Sequence, residues 1–373
     1  MNVLFTPARI GNLEIPNRFV RSATYDAGAE EGFVSDFQVE LYRALAKGRV
    51  GLIVSGVFSV RRGKTPHVQN TLLDDKSIPG LKRLADIVRA HGSRLAVQLF
   101  HGGREAYRVL QPDGIEAAGP SAFKAGEDPY FMGTCREMTE EEIWATVEAF
   151  AQGARRARDA GCDAVQIHGA HAYLLSQFLS PRSNRRADGW GGTPQNRLRL
   201  HREIYRAVRK QVGPEYPVTI KLGVEDSVPD GLRFEEGMEA AVELAQVGYD
   251  AIEVSQGLRG LSYAQTEFRQ NINKRELEAY FREWTREVKK RVRVPVIMVG
   301  GLRSVNLMRE VLTANEADFV SLCRPLVREP DLVAFWEAGE MRRPKCVSCN
   351  RCFEHVIAGL RLECVLQTRR RQR

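Results

Sequence analysis

The sequence predicts a (β/α)₈ barrel with a short C-terminal cysteine-rich extension, and three observations support the barrel. Eight short runs rich in Val, Ile and Leu recur along the chain, at 18–24, 51–56, 94–100, 163–169, 217–223, 250–257, 295–301 and 317–324. Most are nearly continuous in apolar residues, as parallel strands covered on both faces are. Amphipathic stretches that predict helices lie between them, and eight strands alternating with helices close into a barrel.

Local signals agree with this alternation. Thr139 is followed three residues later by Glu142, a capping-box pattern that predicts a helix start, and Gly161 predicts the end of that helix. The stretches AGCDAVQI and VGYDAIEV repeat one order: helix end, glycine, one residue, aspartate, buried strand. A doubly wound open sheet is the alternative. It normally carries GxGxxG after an early strand, and the sequence has none there, so the barrel is preferred.

Composition restricts the class of protein. The 373 residues are 43% hydrophobic and 27% charged, the balance of a soluble globular chain. No apolar run reaches the roughly 18 residues of a membrane span, and the first ten residues do not resemble a secretory signal. We therefore predict a cytoplasmic protein without a membrane partner. Thiols stay reduced in that compartment, which makes the cysteines metal ligands or buried thiols.

The net charge of +8 does not predict a nucleic-acid partner. Four arginines lie within 369–373 and supply about half of the excess. A nucleic-acid-binding surface is expected to combine basic and aromatic residues on one face. We interpret the basic terminus as a solvated tail.

In a barrel of this kind the chemistry lies where the strands end. His168 and His171 follow the fourth predicted strand, with Tyr173 close behind. Imidazoles can polarise a carbonyl group, and a phenol can donate a proton. Gln98 ends the third strand with an amide suited to a heteroaromatic ring, and Lys221 ends the fifth with a positive charge. These residues predict a catalytic pocket that binds a flat polar ligand.

The last two strands end in a pattern typical of phosphate binding. Gly300 and Gly301 close the seventh strand just before a predicted helix near Ser304, and Arg324 closes the eighth. Glycine backbone amides beside a helix start, together with an arginine, form the usual phosphate site of this fold.

Four cysteines near the C-terminus form a separate motif. Cys346, Cys349 and Cys352 are spaced as CxxCxxC, and Cys364 follows twelve residues later. Structural zinc sites usually take two cysteine pairs separated by a longer loop. Bacterial ferredoxins begin with a comparable CxxCxxC run. The spacing favours a [4Fe–4S] cluster over zinc, and disulfides least.

The sequence resembles the Old Yellow Enzyme family of FMN-dependent NADH:flavin oxidoreductases. The match runs from LFTPARIGNLEIPNRFVRSAT to SLCRPLVREPDL. Its most specific part is IHGAHAYLLSQFLSPRSNRRADGWGGTPQNRLR, which is similar to the family pattern HxxHxYL…FLSPxxNxRxDxxGGxxxNR. We predict an FMN-binding (β/α)₈ barrel over 1–338 and an iron–sulfur-binding extension over 339–373.

The resemblance implies roles for individual residues. The FMN-binding set would be Ser22, Ala23, Thr24, Gly56 and Val57 along the flavin, Gln98 and Lys221 at its pyrimidine edge, and Gly300, Gly301 and Arg324 at its phosphate. His168 and His171 would bind the substrate's electron-withdrawing group, and Tyr173 would donate a proton. Many members carry threonine or cysteine near flavin N5. Whether Thr24 or Tyr25 takes that place is left open.

The cysteine motif is similar to one branch of the family, which includes 2,4-dienoyl-CoA reductase and trimethylamine dehydrogenase. That branch carries a [4Fe–4S] cluster in a CxGCNxxC or CxGCNxC context, which CVSCNRC with Cys364 matches. Its members continue into a region that binds FAD or nucleotide, whereas this sequence stops nine residues after Cys364. We therefore expect a separate electron-transfer protein as partner.

The expected function is FMN-dependent reduction of an activated C=C bond in an enone, enoate or enoyl thioester. The resemblance implies hydride transfer from reduced FMN, a cluster that relays electrons, and NADH or NADPH as a candidate reductant. Oxidative amine demethylation on the same scaffold is an alternative. More distant ones are a Schiff-base aldolase or lyase with Lys221 as nucleophile and zinc on the cysteines, and a non-catalytic electron-relay subunit. The substrate and assembly into a homo-oligomer are left open.

Overall fold

The computed structural model describes residues 2–60, 69–107, 117–131 and 133–371. Within them the chain forms twelve strands: β1 (Ala8–Ile10), β2 (Leu13–Ile15), β3 (Phe19–Arg21), β4 (Leu52–Ser59), β5 (Arg94–Phe100), β6 (Ala118–Gly119), β7 (Arg136–Glu137), β8 (Ala164–Gly169), β9 (Val218–Gly223), β10 (Ala251–Ser255), β11 (Val296–Met298) and β12 (Phe319–Leu322). The α-helices of the same residues are α1 (Asp36–Lys47), α2 (Ile78–Ala90), α3 (Glu140–Asp159), α4 (Leu174–Leu179), α5 (Pro194–Val212), α6 (Phe234–Val247), α7 (Arg282–Arg291), α8 (Val305–Thr313), α9 (Arg324–Arg328), α10 (Leu332–Glu337), α11 (Arg351–Ile357) and α12 (Val365–Arg371).

Eight of the strands close into a parallel barrel. Their order around it is β3, β4, β5, β8, β9, β10, β11 and β12. The last closes against the first, with Val320 paired to Phe19. Each of the eight predicted apolar runs overlaps one of these strands, so the barrel prediction is confirmed and the open-sheet alternative is wrong.

The N-terminal end of the barrel is filled with apolar side chains. β1 and β2 form an antiparallel hairpin in which Ala8 pairs with Ile15. Ile10 and Ile15 are buried in one cluster with Val20, Val54 and other strand residues. Because this end is apolar, a polar ligand can enter only from the opposite end, where the strands terminate.

The helices around the barrel are amphipathic, and α3 shows how the sequence sets their limits. Thr139 Oγ1 accepts a hydrogen bond from the Glu142 backbone, while the Glu142 carboxylate accepts one from the Thr139 N–H, which confirms the predicted capping box. Gly161 follows the helix with φ +78°. Among the described residues, no helix has both the length and the apolar character needed to cross a bilayer.

An irregularity in β4 determines which of its side chains face the barrel mouth. The pairing of β4 with β5 shifts between Val54 and Val57, so that Val57 lies opposite Gln98. The Gly56 N–H donates instead to Tyr42 Oη at 2.8 Å. The bulge therefore moves Gly56 out of the regular ladder.

The residues after α10 lie against the end of β3. Val356 and Leu362 are buried in a small cluster with Ala27. The Leu362 N–H donates to the carbonyl oxygen of Asp26 at 2.9 Å. The cysteine-rich segment therefore lies at the same end of the barrel as the strand termini. The division of the chain at 338/339 stays a prediction.

Candidate functional site

A large cavity opens where the barrel strands end. It is lined by twelve of the residues predicted from the sequence: Ser22, Ala23, Thr24, Val57, Gln98, His168, His171, Tyr173, Lys221, Gly300, Gly301 and Arg324. Of the predicted catalytic and FMN-binding residues, Gly56 is the one absent from the described lining of this cavity. A Cβ at Gly56 would lie 3.0 Å from the Thr24 carbonyl oxygen, in the wall behind the lining.

Lys221 lies at the floor of the cavity, and strand register positions it. β9 pairs with β10 so that Lys221 lies opposite Glu253. Lys221 Nζ donates to Ser22 Oγ at 2.7 Å and to Glu253 Oε1 at 3.1 Å. Only 3% of the lysine is exposed. An ammonium held in such an ion pair has no free lone pair, which argues against the Schiff-base alternative.

Gln98 presents an acceptor oxygen to the same cavity. Its Nε2 donates to Gln166 Oε1 at 2.7 Å. Its Oε1 is buried without a hydrogen-bond partner among the described residues. Leaving such an atom unpaired costs about 1–3 kcal/mol, so a ring N–H of a heteroaromatic ligand would stabilise it. This orphaned acceptor fits the pyrimidine edge of a flavin.

The two predicted histidines lie together at the end of β8. Their ring centroids are 5.0 Å apart. His171 Nε2 is 2.8 Å from Ser255 Oγ, whereas His168 Nδ1 is buried without a partner among the described residues. Loss of hydration lowers the pKa of each imidazole well below its usual value, and the positive charge of Lys221 adds to this. Both rings are therefore neutral near pH 7 and can donate hydrogen bonds.

Tyr173 stands directly before α4 and faces His168, with ring centroids 5.1 Å apart. The Arg259 guanidinium lies 5.3 Å from the centroid of the tyrosine ring. Arg259 Nε in turn donates to Glu267 Oε1 at 2.9 Å. Burial raises the pKa of Tyr173, with Arg259 opposing that rise. The phenol therefore keeps its proton and remains able to give it to a ligand.

Gly300 and Gly301 form a shallow cradle at the far end of the cavity. Both have positive φ, +121° and +69°. A Cβ on Gly301 would lie 2.7 Å from the ring of Tyr280, so only glycine fits. The side chains of Arg303 and Arg324 line the same end. Both guanidinium groups already donate to oxygens of the protein. They would therefore offer a phosphate positive charge beside the glycine backbone.

The hydroxyl groups of Thr24 and Tyr25 differ in their hydrogen bonding. Thr24 Oγ1 donates to the Ser22 carbonyl oxygen at 2.9 Å and lies 3.2 Å from Cys323 Sγ. The Tyr25 hydroxyl is buried without a partner among the described residues, and its side chain lines the cavity. Burial and the neighbouring Asp26 raise the pKa of Tyr25. The Thr24 hydroxyl is bonded to the wall, which makes Tyr25 the better candidate for ligand contact.

Several residues of the site were missed by reasoning from the sequence: Ser255, Glu253, Arg259, Glu267 and Arg303. Ser255 and Arg259 lie at and beyond the end of β10, where a search for polar strand ends would have found them. Glu253 gave no such signal, because its partners are distant in sequence. Glu267 lies in a loop well beyond the end of β10, where a search for strand ends does not reach.

The four predicted cysteines line a second, much smaller cavity: Cys346, Cys349, Cys352 and Cys364. All four are free thiols, and burial raises the pKa of Cys346 and that of Cys352, the latter to about 12. Within the described parts of the chain, no three or more His, Cys, Asp or Glu side chains are grouped closely enough for a metal ion. Four thiols that border one small cavity match the donors of an iron–sulfur cluster in number and type.

Cys352 connects the two cavities, because it lines both of them. Arg324 and Asn350 also border both, and Arg324 donates a hydrogen bond to Asn350 Oδ1. The cysteine cavity therefore adjoins the end of the large cavity that holds the glycine cradle.

Known proteins resemble this chain over nearly all of its length. The metal reductase of Desulforamulus reducens is 34% identical over 370 residues, which cover 98% of this chain and 53% of that protein. The NADH oxidase of Thermoanaerobacter brockii is also 34% identical over 370 residues, covering 97% and 55%. The chain thus spans about half the length of these two relatives.

A solved structure of 2-naphthoyl-CoA reductase with 2-naphthoyl-CoA superimposes with a TM-score of 0.87 at 28% identity, covering 97% of this chain and 56% of that one. The family model described as the NADH:flavin oxidoreductase / NADH oxidase family matches residues 3–341. The chain therefore belongs to this Old Yellow Enzyme-like family of oxidoreductases.

Proposed function

We propose that the protein is an FMN-dependent oxidoreductase that reduces an activated C=C bond of an enone, enoate or enoyl thioester. The observation that carries the proposal is the pair of neutral imidazoles beside Tyr173, with His168 Nδ1 unpartnered among the described residues. FMN, when bound, supplies the hydride for such a reduction. Family membership and the likeness to 2-naphthoyl-CoA reductase support this class of reaction.

The residues that would hold FMN line the cavity and offer it a hydrogen-bond acceptor, backbone N–H groups or positive charge. Gln98 Oε1 would accept from the ring N–H, and Lys221 would lie near the ring carbonyl groups. The cradle of Gly300 and Gly301 would receive the phosphate, with Arg324 supplying positive charge. These residues would hold the cofactor at the barrel mouth.

His168 and His171 would act on the substrate's carbonyl group. A neutral imidazole donates one hydrogen bond, and two such donors would hold the carbonyl oxygen and stabilise the negative charge that develops on it. A single donor of this kind contributes about 2.7–4 kcal/mol in well-studied enzymes. Tyr173, whose raised pKa keeps the phenol protonated, would then protonate the α-carbon.

A turnover assay under anaerobic conditions tests this function. We expect an enone, an enoate or an enoyl thioester to be reduced at the C=C bond, with one substrate consumed per reductant oxidised. Tyr173→Phe should bind FMN normally and slow this turnover. The proposal would be contradicted if the protein reduced none of the three substrate classes and oxidised a dimethylated amine.

Oxidative amine demethylation remains the second candidate, because one carboxylate favours it. Glu105 is 2% exposed and lines the large cavity. Its Oε2 is buried without a hydrogen-bond partner among the described residues. Such an oxygen would accept a hydrogen bond from a substrate ammonium group. If this candidate is correct, Glu105→Gln abolishes amine turnover and leaves any enone reduction unchanged.

We infer that the four cysteines hold a [4Fe–4S] cluster. Their position around one cavity supports this, as does Cys352, which borders the candidate flavin cavity as well. A bound cluster would supply one-electron transfer, and we propose an electron-transfer protein as the partner that exchanges these electrons. Titration with NADH and NADPH tests the need for that partner. Rapid reduction by either nucleotide would make it unnecessary, whereas reduction by neither would support it.

A further inference from the structure

Glu253 lies in the interior of the barrel and is completely buried. Its Oε1 accepts hydrogen bonds from Ser22 Oγ at 2.8 Å, Lys221 Nζ at 3.1 Å and Ser321 Oγ at 3.1 Å. Its Oε2 accepts from Gln166 Nε2 at 3.0 Å. One carboxylate therefore connects side chains from four other barrel strands or strand ends.

This carboxylate lies behind the wall of the cavity. Three of its partners, Ser22, Lys221 and Ser321, line the cavity, whereas Glu253 is not among the described lining residues. It cannot touch a ligand directly. It acts on a ligand through the position and the charge of Lys221.

The ion pair changes what Lys221 offers to a cofactor. An isolated ammonium would present a full positive charge at the floor of the cavity. Glu253 Oε1 lies 3.1 Å from Lys221 Nζ, so the pair carries no net charge. Only the dipole formed by the two separated charges then acts on a ligand. Since both groups are buried, solvent screens this pairing little.

A structural role alone does not explain a charged residue here. A buried ion pair carries a desolvation cost that its mutual attraction often only balances, so it is weak support for stability. The two serine hydroxyls could donate equally well to the oxygen of a neutral amide, whereas the Gln166 amide would have to rotate to avoid facing a second NH2. The feature that a neutral residue would lack is the negative charge beside Lys221.

We propose that Glu253 is a positioning residue that offsets the charge of Lys221 and so keeps the reduction potential of bound FMN lower than Lys221 alone would set it. The proposal rests on FMN binding as described under the proposed function. Two-electron reduction adds negative charge to the flavin ring, and a nearby positive charge favours it. Glu253 weakens that preference by pairing with the positive charge.

Sulfite provides a test that does not depend on turnover, because its adduct with oxidised flavin also places negative charge on the ring. Glu253→Gln should bind sulfite at least about tenfold more tightly than the wild type at pH 6.5. A tenfold change in the corresponding two-electron equilibrium raises the potential by about 30 mV. Both quantities are measured on FMN-loaded protein by absorbance titration.

Asp250 supplies the matched control, since it is an acidic residue that directly precedes the first residue of β10. Its carboxylate pairs with Arg209, 2.8 Å away, outside the cavity lining. Asp250→Asn should leave sulfite affinity and potential unchanged. Glu253→Asp, which keeps the charge but withdraws it from Lys221, should fall between the wild type and Glu253→Gln.

The outcomes separate this proposal from the proposed function. Wild-type protein that binds no FMN would contradict the function itself. FMN-bound Glu253→Gln and Glu253→Asp with wild-type sulfite affinity would overturn the proposal for Glu253 alone. Failure of both variants to fold would assign Glu253 a structural role and overturn it as well.

Discussion

The mouth of the barrel and the cysteine-rich segment position their side chains in different ways. At the mouth, strand register places each polar group, as with Lys221 opposite Glu253 and Gln98 opposite Gln166. In the segment after α10, side chains of the barrel hold the backbone. Arg303 donates to the carbonyl oxygens of Pro344 and Cys346.

Burial differs as well. Between the barrel strands and the surrounding helices lies a continuous core in which most apolar side chains are below 5% exposed. In the cysteine-rich segment Val347 and Ile357 are 46% and 45% exposed. Regions with few buried apolar contacts open locally at lower free energy than the core. Local unfolding or loss of function at one candidate site should therefore leave the other site intact. The following experiments test that independence.

The largest expected effect is on catalysis at the mouth. Replacing His168 and His171 together by alanine removes both candidate donors to the substrate carbonyl. We expect turnover of the C=C substrate to fall about 10³-fold, with FMN and iron contents unchanged. Steady-state kinetics with cofactor analysis of the same sample measures this. A variant with full turnover would remove the histidines from the mechanism.

A smaller effect is expected from one leucine in each region. Leu362→Ala should destabilise the segment after α10 by about 2 kcal/mol, since Leu362 packs on Ala27 and Val356. Hydrogen exchange should then speed up in that segment, and chelators should remove iron faster. The barrel should keep its melting temperature.

Leu222→Ala is the matched variant in the barrel, where Leu222 is fully buried. It should lower the melting temperature of the whole protein. Equal losses of global stability in both variants would show that the two regions unfold as one unit, against the comparison drawn above.

The smallest effect concerns acid stability of the barrel. His201 on α5 is fully buried, and burial lowers the pKa of its imidazole to about 3. Below pH 6.5 the unfolded chain binds a proton that the folded chain does not, so stability falls as pH falls. At pH 5.5 the loss from this residue is about 1.4 kcal/mol. Urea unfolding of His201→Asn at pH 7.5 and 5.5 should show a smaller difference than the wild type. An equal difference would contradict this assignment.

The sequence was sufficient to predict the parts of the molecule that follow a periodic pattern. The eight apolar runs and the capping box at Thr139 required only local information. The strand-end residues His168 and Lys221 followed from the barrel once its strands were placed. Gly56 came from resemblance alone, and the bulge in β4 turns it away from the cavity.

Other features required the three-dimensional pairing. Glu253 interrupts an apolar run, and nothing in the run shows that its side chain meets Lys221 across the neighbouring strand. The arrangement of the cysteines depends on Arg303 and Arg324, which lie earlier in the chain. Spacing within the motif could not show which carbonyl groups those arginines hold.

The most direct test of the central claim is the iron, acid-labile sulfide and FMN content of anaerobically purified protein, with its absorbance spectrum. If one chain carries both sites, the wild type should contain about four iron and four sulfide per FMN. Cys349→Ser should lose iron and sulfide while it keeps the flavin spectrum. Wild-type protein with FMN but without iron and sulfide, or with zinc on the cysteines, would contradict the account.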